Sequence, residues 1–448
     1  MNNSEYFAKN AALANKRNSI PAELHKRFNT KQGLRNEDGT GVLVGLTEVG
    51  EVHGYIIDDQ ERVPDHGGLW YRGISIQDIV RGFQQDGRFG FAETVYLLLF
   101  GELPSREELD QLREVIGSLR SLPDRFTEDM ILRAPSRDIM NKLARSVLVA
   151  YSYDDQADDH SVENVLRQVV ELIARFPTMV AYGYQALRHY FHGESLYIHA
   201  PDPERSTAEN LLAMIRPDQS FTPLEAEILD LALVLHAEHG GGNNSSFTIN
   251  VVSSAHTDTY SAVAAAVGSL KGARHGGAAR RVREMISDVQ ANVKDWSSDT
   301  EVGEYIRKVM RKESFDGSGL IYGIGHAVYT LSDPRAVLLE EKARELAMES
   351  GHEEEYGLYQ KMAELTPKIF QEEKNTDRII APNVDFYSGF VYSMLGIPAE
   401  LYTPIFAVAR ISGWAAHRLE EIVSGGRIIR PAYKNVLKHR GYTPITSR

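Results

Sequence analysis

The chain has 448 residues, 42% hydrophobic and 25% charged, which is enough for two or more domains with large buried cores and unlike a disordered chain. Its net charge of −13, with histidines neutral, argues against a broad nucleic-acid-binding surface, and the lack of cysteine excludes disulfides, thiolate metal sites and a cysteine nucleophile. No uncharged apolar run approaches the ~18 residues of a membrane span, and the opening MNNSEYFAKNAALANKRN lacks a signal peptide's apolar stretch, so no membrane association and a cytoplasmic location are expected.

Residues 1–40 are polar and predict one helix and an extended arm. Between 41 and 57, alternating Val42, Val44, Val49, Val52 and Tyr55 among glycines predict short strands or a small hairpin. Helical spacing takes over from Ile76. FAETVYLLLFGELPSREELDQLREVI reads as a helix, a stop at Gly101, a restart at Pro104 and Ser105, and a second helix. Further helices are predicted over 141–151, 162–184 (with Pro177 bending it) and 208–215, with a polar acidic loop at 151–160. The fold class is mainly α.

The stretch 222–281 organises the rest. Thr222, Pro223 and Glu225 supply a cap hydroxyl, a first-turn proline and a carboxylate three residues on, which together start a helix. That helix is apolar on nearly every side, hence buried, and runs through His236 to His239 before stopping at Gly240, Gly241 and Gly242. A second, alanine-rich helix is predicted from about 259 to 270, breaking at Gly272 just before His275, Gly276 and Gly277. Buried helices that end in glycine-flanked histidines present an imidazole where something else must come close.

Further on, Val302, Tyr305, Ile306, Val309 and Met310 mark an amphipathic helix. Asp333 and Pro334 start another, ending at Gly351, with Arg335 in its first turn. The macrodipole disfavours a cation there, so either a bound anion or solvent accounts for it. PNVDFYSGFVYSMLGIP predicts a short helix from near Asp385 to Gly396. Arg410 lies in a helix among apolar or small neighbours, which requires a structural ion pair or an anionic ligand. Arg430 precedes a proline in an exposed-looking tail.

Each candidate has a plainer reading. His236, Glu238 and His239 could form a metal pair, although the cysteines of zinc deaminases and the spacing of zincins are both absent. Any one of the histidines could be a satisfied core residue, and Asp385 a helix cap. In combination, three glycine-flanked histidines, an aspartate and several arginines point to acid–base chemistry on a small polyanion.

The runs LHAEHGGGNNSS, GSLKGARHGGA, YGIGHAVYTLSDPRA, PNVDFYSGFVYSMLGIP, IFAVARISGWAAHRLEE and IIRPAYKN resemble, in order, the motifs of citrate synthases. GGLWYRGISIQDIV and AETVYLLLFGELPSREEL resemble that family's N-terminal region, and the likeness spans about 69–433. It implies a helical homodimer with a large domain (1–280 and 388–448) and a smaller mobile one (281–387), no metal or cofactor, and acetyl-CoA and oxaloacetate as substrates. By the same resemblance Asp385 is the base, His275 the donor to the thioester oxygen, and His326 the acid on the oxaloacetate carbonyl. His239, Arg335 and Arg410 bind oxaloacetate, and Arg430 reaches in from the other subunit. Tyr322, Gly323, Ile324, Gly325 and Arg274 are candidates for CoA binding. Ala279 and Ala327 depart from residues common in the family. A 2-methylcitrate synthase and a non-catalytic acyl-CoA-binding relative are the competing readings.

Overall fold

The computed structural model describes residues 10–11, 15–17, 20–36, 40–58 and 61–447. It is mainly helical, as the sequence pattern predicts. The chain divides into two compact units, Met1–Leu46 and Thr47–Arg448. In the first, a short helix Ala22–Arg27 and a 3-10 turn Gln32–Leu34 precede a bridge between Arg35 and Gly41. Much of the helix expected within 1–40 falls outside the described residues.

The second unit begins with an antiparallel sheet of β1 (Gly50–Asp58), β2 (Glu61–Tyr71) and β3 (Ile74–Ser75), in that order. Gly50 pairs with Tyr71 and Trp70 with Ser75, with an irregularity between His53 and Tyr55. The hairpin expected within 41–57 therefore lies further along the chain. Its second strand has too little alternation, with Pro64, Gly67 and Gly68 inside it, to be read from the sequence.

The predicted helix punctuation is in place. Phe91–Phe100 stops at left-handed Gly101, and Arg106–Leu119 starts from a Ser105 capping box. Ile139–Ala150 and Thr207–Ile215 lie within a residue or two of expectation. Val162–His192 runs eight residues past the expected end, with Pro177 inside it, because Ala186 and Leu187 continue its buried face. Among the described residues, three α-helices were not foreseen: Asn244–Ser253, Ala278–Asn292 and Glu353–Lys374. The first, NSSFTINVVS, is rich in poor helix formers and is held by its Asn243 cap and by packing on Thr259–Lys271 and Tyr402–Ser424.

Tyr402–Ser424 is the axis of the unit. It packs on Phe91–Phe100, Val162–His192, Pro223–His236, Asn244–Ser253 and Thr259–Lys271, and is buried from Pro404 to Leu419. Pro334–Ser350 packs on Val384–Met394 and Pro223–His236, which brings the later helices against the buried histidine helix. Among the described residues no helix is long and apolar enough to cross a membrane.

Candidate active site

Pro223–His236 starts from the predicted Thr222 capping box and is buried for most of its length. The chain leaves it at Ala237 and turns at Gly240 (φ +77°), which leaves His239 on a buried corner. His236 packs on Phe406 with ring centroids 4.3 Å apart and the rings tilted by 34°. Arg410, on the axial helix, is fully buried and donates from Nε to the His236 carbonyl at 2.7 Å. Its Nη1 and Nη2 have no hydrogen-bond partner among the described residues, and neither has His239 Nε2. Burial brings the Arg410 guanidinium down to about 10, with Glu238 acting in the opposite sense. Among the described residues, the structural ion pair considered for Arg410 is not formed.

His275 lies beyond the Gly272 end of Thr259–Lys271 and contacts Ser245 Oγ through Nε2 at 3.1 Å. The same Ser245 oxygen accepts from Trp414 Nε1 at 3.0 Å, and Ser245 donates to Asn243 Oδ1 at 2.9 Å. Burial, with the Arg410 charge, lowers the His275 imidazole to about 4, so it is neutral at ordinary pH.

His326 follows a loop that is pinned to the segment before Asp385. Ile324 and Pro382 form an antiparallel bridge. Gly325 N donates to Ala381 O at 2.8 Å, Asn383 N to Gly323 O at 2.9 Å, and Asn383 Nδ2 to Gly325 O at 2.9 Å. Gly323 is required here: its φ is +79°, and a Cβ would press on Phe386 and Val282. His326 Nδ1 accepts from Val328 N and Tyr329 N, each at 3.1 Å. In the neutral imidazole this places the proton on Nε2. The His326 ring meets His239 edge-on at 5.2 Å and stacks on Tyr329 at 4.7 Å. Thr330 Oγ1 donates to Gly54 O at 2.8 Å, so the β1–β2 hairpin supports this loop.

Asp385 is the second residue of Val384–Met394; Asn383 is the cap and accepts from Asp385 N at 3.0 Å. The helix-cap reading of Asp385 therefore fails. It is partly buried, and burial, offset in part by Arg335, pushes its carboxyl up to about 6. Arg335 is buried rather than solvated. The helix-start conflict is resolved within the chain, because Asp333 accepts from Arg335 Nε at 3.0 Å and from Nη2 at 2.8 Å. Asp333 also accepts from Val384 N at 3.1 Å, tying the starts of two helices together.

Arg430 is exposed in the tail beyond the axial helix and has no hydrogen bond or ion pair to this cluster among the described residues. Arg274 is exposed too, and Tyr322 donates to Asp316 at 2.8 Å with Arg281 over its ring. Among the described residues, no three His, Asp or Glu side chains are grouped to hold a metal ion. Glu238, the carboxylate of the supposed metal pair, is spent on His239 N–H and lies beside His417.

The family described as citrate synthase, C-terminal domain, matches residues 38–432. The chain is similar to a citrate synthase of Haloferax volcanii, 35% identical over 423 residues, covering 93% of this chain and 99% of that one. It is also similar to 2-methylcitrate synthase 1 of Corynebacterium glutamicum, 33% identical, covering 91% and 97%. Among solved structures it resembles the ternary complex of carboxymethyl coenzyme A and oxaloacetate with citrate synthase from Thermoplasma acidophilum. There the TM-score is 0.76 at 25% identity, covering 93% and 99%. The chain belongs to the citrate synthase family. It is therefore an acyltransferase whose matched segment contains the whole cluster and Arg430.

Sequence reading missed several residues that hold this citrate synthase site together. Asp333 was read only as a helix start, although its place two residues before an unexplained arginine was a signal. Asn383 precedes Asp385 by the same interval. Ser245 gave none, because the helix carrying it was not foreseen.

Proposed function

We propose that this chain condenses acetyl-CoA with oxaloacetate and hydrolyses the product to citrate and CoA, as a cytoplasmic enzyme. The observation that carries the reading is Arg410, a buried guanidinium whose two terminal nitrogens lack a partner among the described residues, in the field of His239, His275 and Asp385. Such a cation is made for a small dianion. Arg410, His239 and Arg335 would bind oxaloacetate, with Arg335 pre-set by Asp333.

Asp385 takes a methyl proton from acetyl-CoA. The developing enolate oxygen accepts a hydrogen bond from His275, whose ring is oriented by the contact of Nε2 with Ser245. The methyl carbon then bonds to the carbonyl carbon of oxaloacetate, whose oxygen receives the proton of His326 Nε2. Water cleaves the thioester and CoA leaves. A carboxylate near pKa 6 is far too weak to hold the carbanion unaided, so donors fixed in a water-poor site must supply the stabilisation. Removal of one such donor typically costs about 3 kcal/mol.

The same reading has a smaller domain, 281–387, closing on 1–280 and 388–448. His326, Arg335 and Asp385 come from the former, and His239, His275 and Arg410 from the latter. CoA would lie along Tyr322, Gly323, Ile324 and Gly325, with Arg274 near its phosphates. A homodimer would bring Arg430 to the neighbouring site. The tail around it supports this, since Tyr433, Leu437 and Tyr442 are 94%, 72% and 83% exposed, apolar surface that a second copy would cover.

The test is thiol release from acetyl-CoA and propionyl-CoA, with and without oxaloacetate. The expected result is release that depends on oxaloacetate and a higher kcat/KM for acetyl-CoA. A higher kcat/KM for propionyl-CoA would make the chain a 2-methylcitrate synthase, and release with neither would leave a binding protein. One methylene is worth only ~1–3 kcal/mol in a pocket, so the choice is made by measurement.

A further inference from the structure

The carboxylate between the two histidines of the His236-Ala237-Glu238-His239 run has no part in the chemistry above. We propose that Glu238, latched to His417, is a positioning residue that fixes His239 against Arg410 and thereby sets affinity for the keto-diacid. This rests on the reading that His239 and Arg410 bind oxaloacetate.

Arg410, Gly413 and His417 recur at helical spacing, so they share one face of the axial helix. The corner 236–239 sits on that face at three points. Arg410 Nε holds the His236 carbonyl at 2.7 Å. Glu238 lies over Gly413, where a Cβ would overlap both Glu238 Oε2 and the Ala237 carbonyl oxygen. His417 Nε2 stands 3.2 Å from Glu238 Oε2, out of line for a good hydrogen bond but within ion-pair distance, with both side chains fully buried. The other carboxylate oxygen, Oε1, accepts from the His239 backbone N–H at 2.7 Å. One carboxylate thus grips the main chain of a proposed ligand residue with one oxygen and the helix carrying the other ligand residue with the second.

The far side of His417 is braced as well. Its Nδ1 lies 3.8 Å from Glu420 Oε2, and Glu420 Oε1 accepts from Glu48 N at 2.7 Å, just ahead of β1. Burial opposes protonation of His417, yet Glu238 and Glu420 together carry it up to about 9. The latch is therefore an ion pair at neutral pH. Buried charge pairs contribute little net stability but penalise the loss of one partner, which suits a device that defines geometry.

The test is steady-state kinetics of the full-length enzyme with both substrates, alongside circular dichroism and thermal melts. E238Q keeps the shape of the side chain and an acceptor for His239 N–H but removes the charge facing His417. Its KM for oxaloacetate should rise about tenfold while kcat and the KM for acetyl-CoA stay within about twofold. H417Q should move the same constant in the same direction, and E238D, which keeps the charge, should recover part of the loss. The double variant E238Q/H417Q should bind better than the product of the two single effects, because no buried charge is left unpaired. An unchanged oxaloacetate KM in E238Q, with only a lower melting temperature, would reduce Glu238 to packing and overturn the proposal. If E238Q does not fold, H417Q decides by the same constant. Independent single effects in the double variant would also overturn it. Wild-type enzyme that releases no CoA with oxaloacetate would instead remove the functional reading itself, before any variant is compared.

Discussion

Arg410 is mounted on a helix buried along most of its length and His239 on the buried corner just past another, whereas His326 follows a glycine-bounded loop and Asp385 lies in the first turn of a short helix, the two segments being joined by backbone hydrogen bonds. In the first region the side chains are fixed by packing, and Arg410 Nη1 and Nη2 and His239 Nε2 are among the polar atoms left over. In the second, position depends on a few main-chain bonds and on Asp333 joining Arg335 to the start of the next helix. In the proposed reading the region of His326 and Asp385, the loop-built half, closes over substrate. In the same reading the helix-built half binds the keto-diacid through Arg410 and His239, and the loop-built half transfers protons through His326 and Asp385 while adding the charge of Arg335.

The sharpest way to break this division is Asp385→Asn. Turnover should fall about a thousandfold or more while oxaloacetate binding, read by calorimetry, changes little. A comparable loss of binding would show that the two halves are not separable. Arg410→Leu should do the reverse, raising the KM for oxaloacetate roughly a hundredfold, with kcat at saturation less affected. A loss confined to kcat would place Arg410 with the proton-transfer groups. Gly323→Ala should destabilise the loop-built half by about 1–3 kcal/mol, lowering the melting temperature, because a Cβ there meets Phe386 in a left-handed backbone. An unaltered melt would show that this half yields more easily than its packing suggests.

The smallest effect near neutrality is that of pH. Asp385 must be ionised to act, and its carboxyl is raised to about 6, so kcat should hold above that value and fall tenfold per unit well below it. Its linkage to stability has the opposite sense. A raised carboxyl contributes stability below its unfolded value near 3.8, and that contribution is lost as pH rises through about 6. A kcat profile flat to pH 4 would remove Asp385 as the base.

The helix-built half was the more legible in sequence. The Thr222 box, the apolar run to His236 and the isolated Arg410 are local patterns, and local patterns fix helices. The roles of Asp333, Ser245 and Glu238 were not legible, since each depends on a partner or neighbour that only the fold defines. Arg335 shows the limit well: its helix-start position was plain, but solvent, an anion and a nearby carboxylate all satisfied the same electrostatic requirement. The second strand of the hairpin was hidden by its glycines and proline, and the Asn244–Ser253 helix by residues that favour helices only when packed.

Arg410 carries one last implication, for the lifetime of the protein rather than its catalysis. Two charged donors with no internal acceptor weaken the fold, and any anion that meets them lends the native state its binding energy. At a hundred times its dissociation constant, such a metabolite would add about 2.7 kcal/mol. An anion seated there would then raise heat resistance and slow proteolysis of the native state.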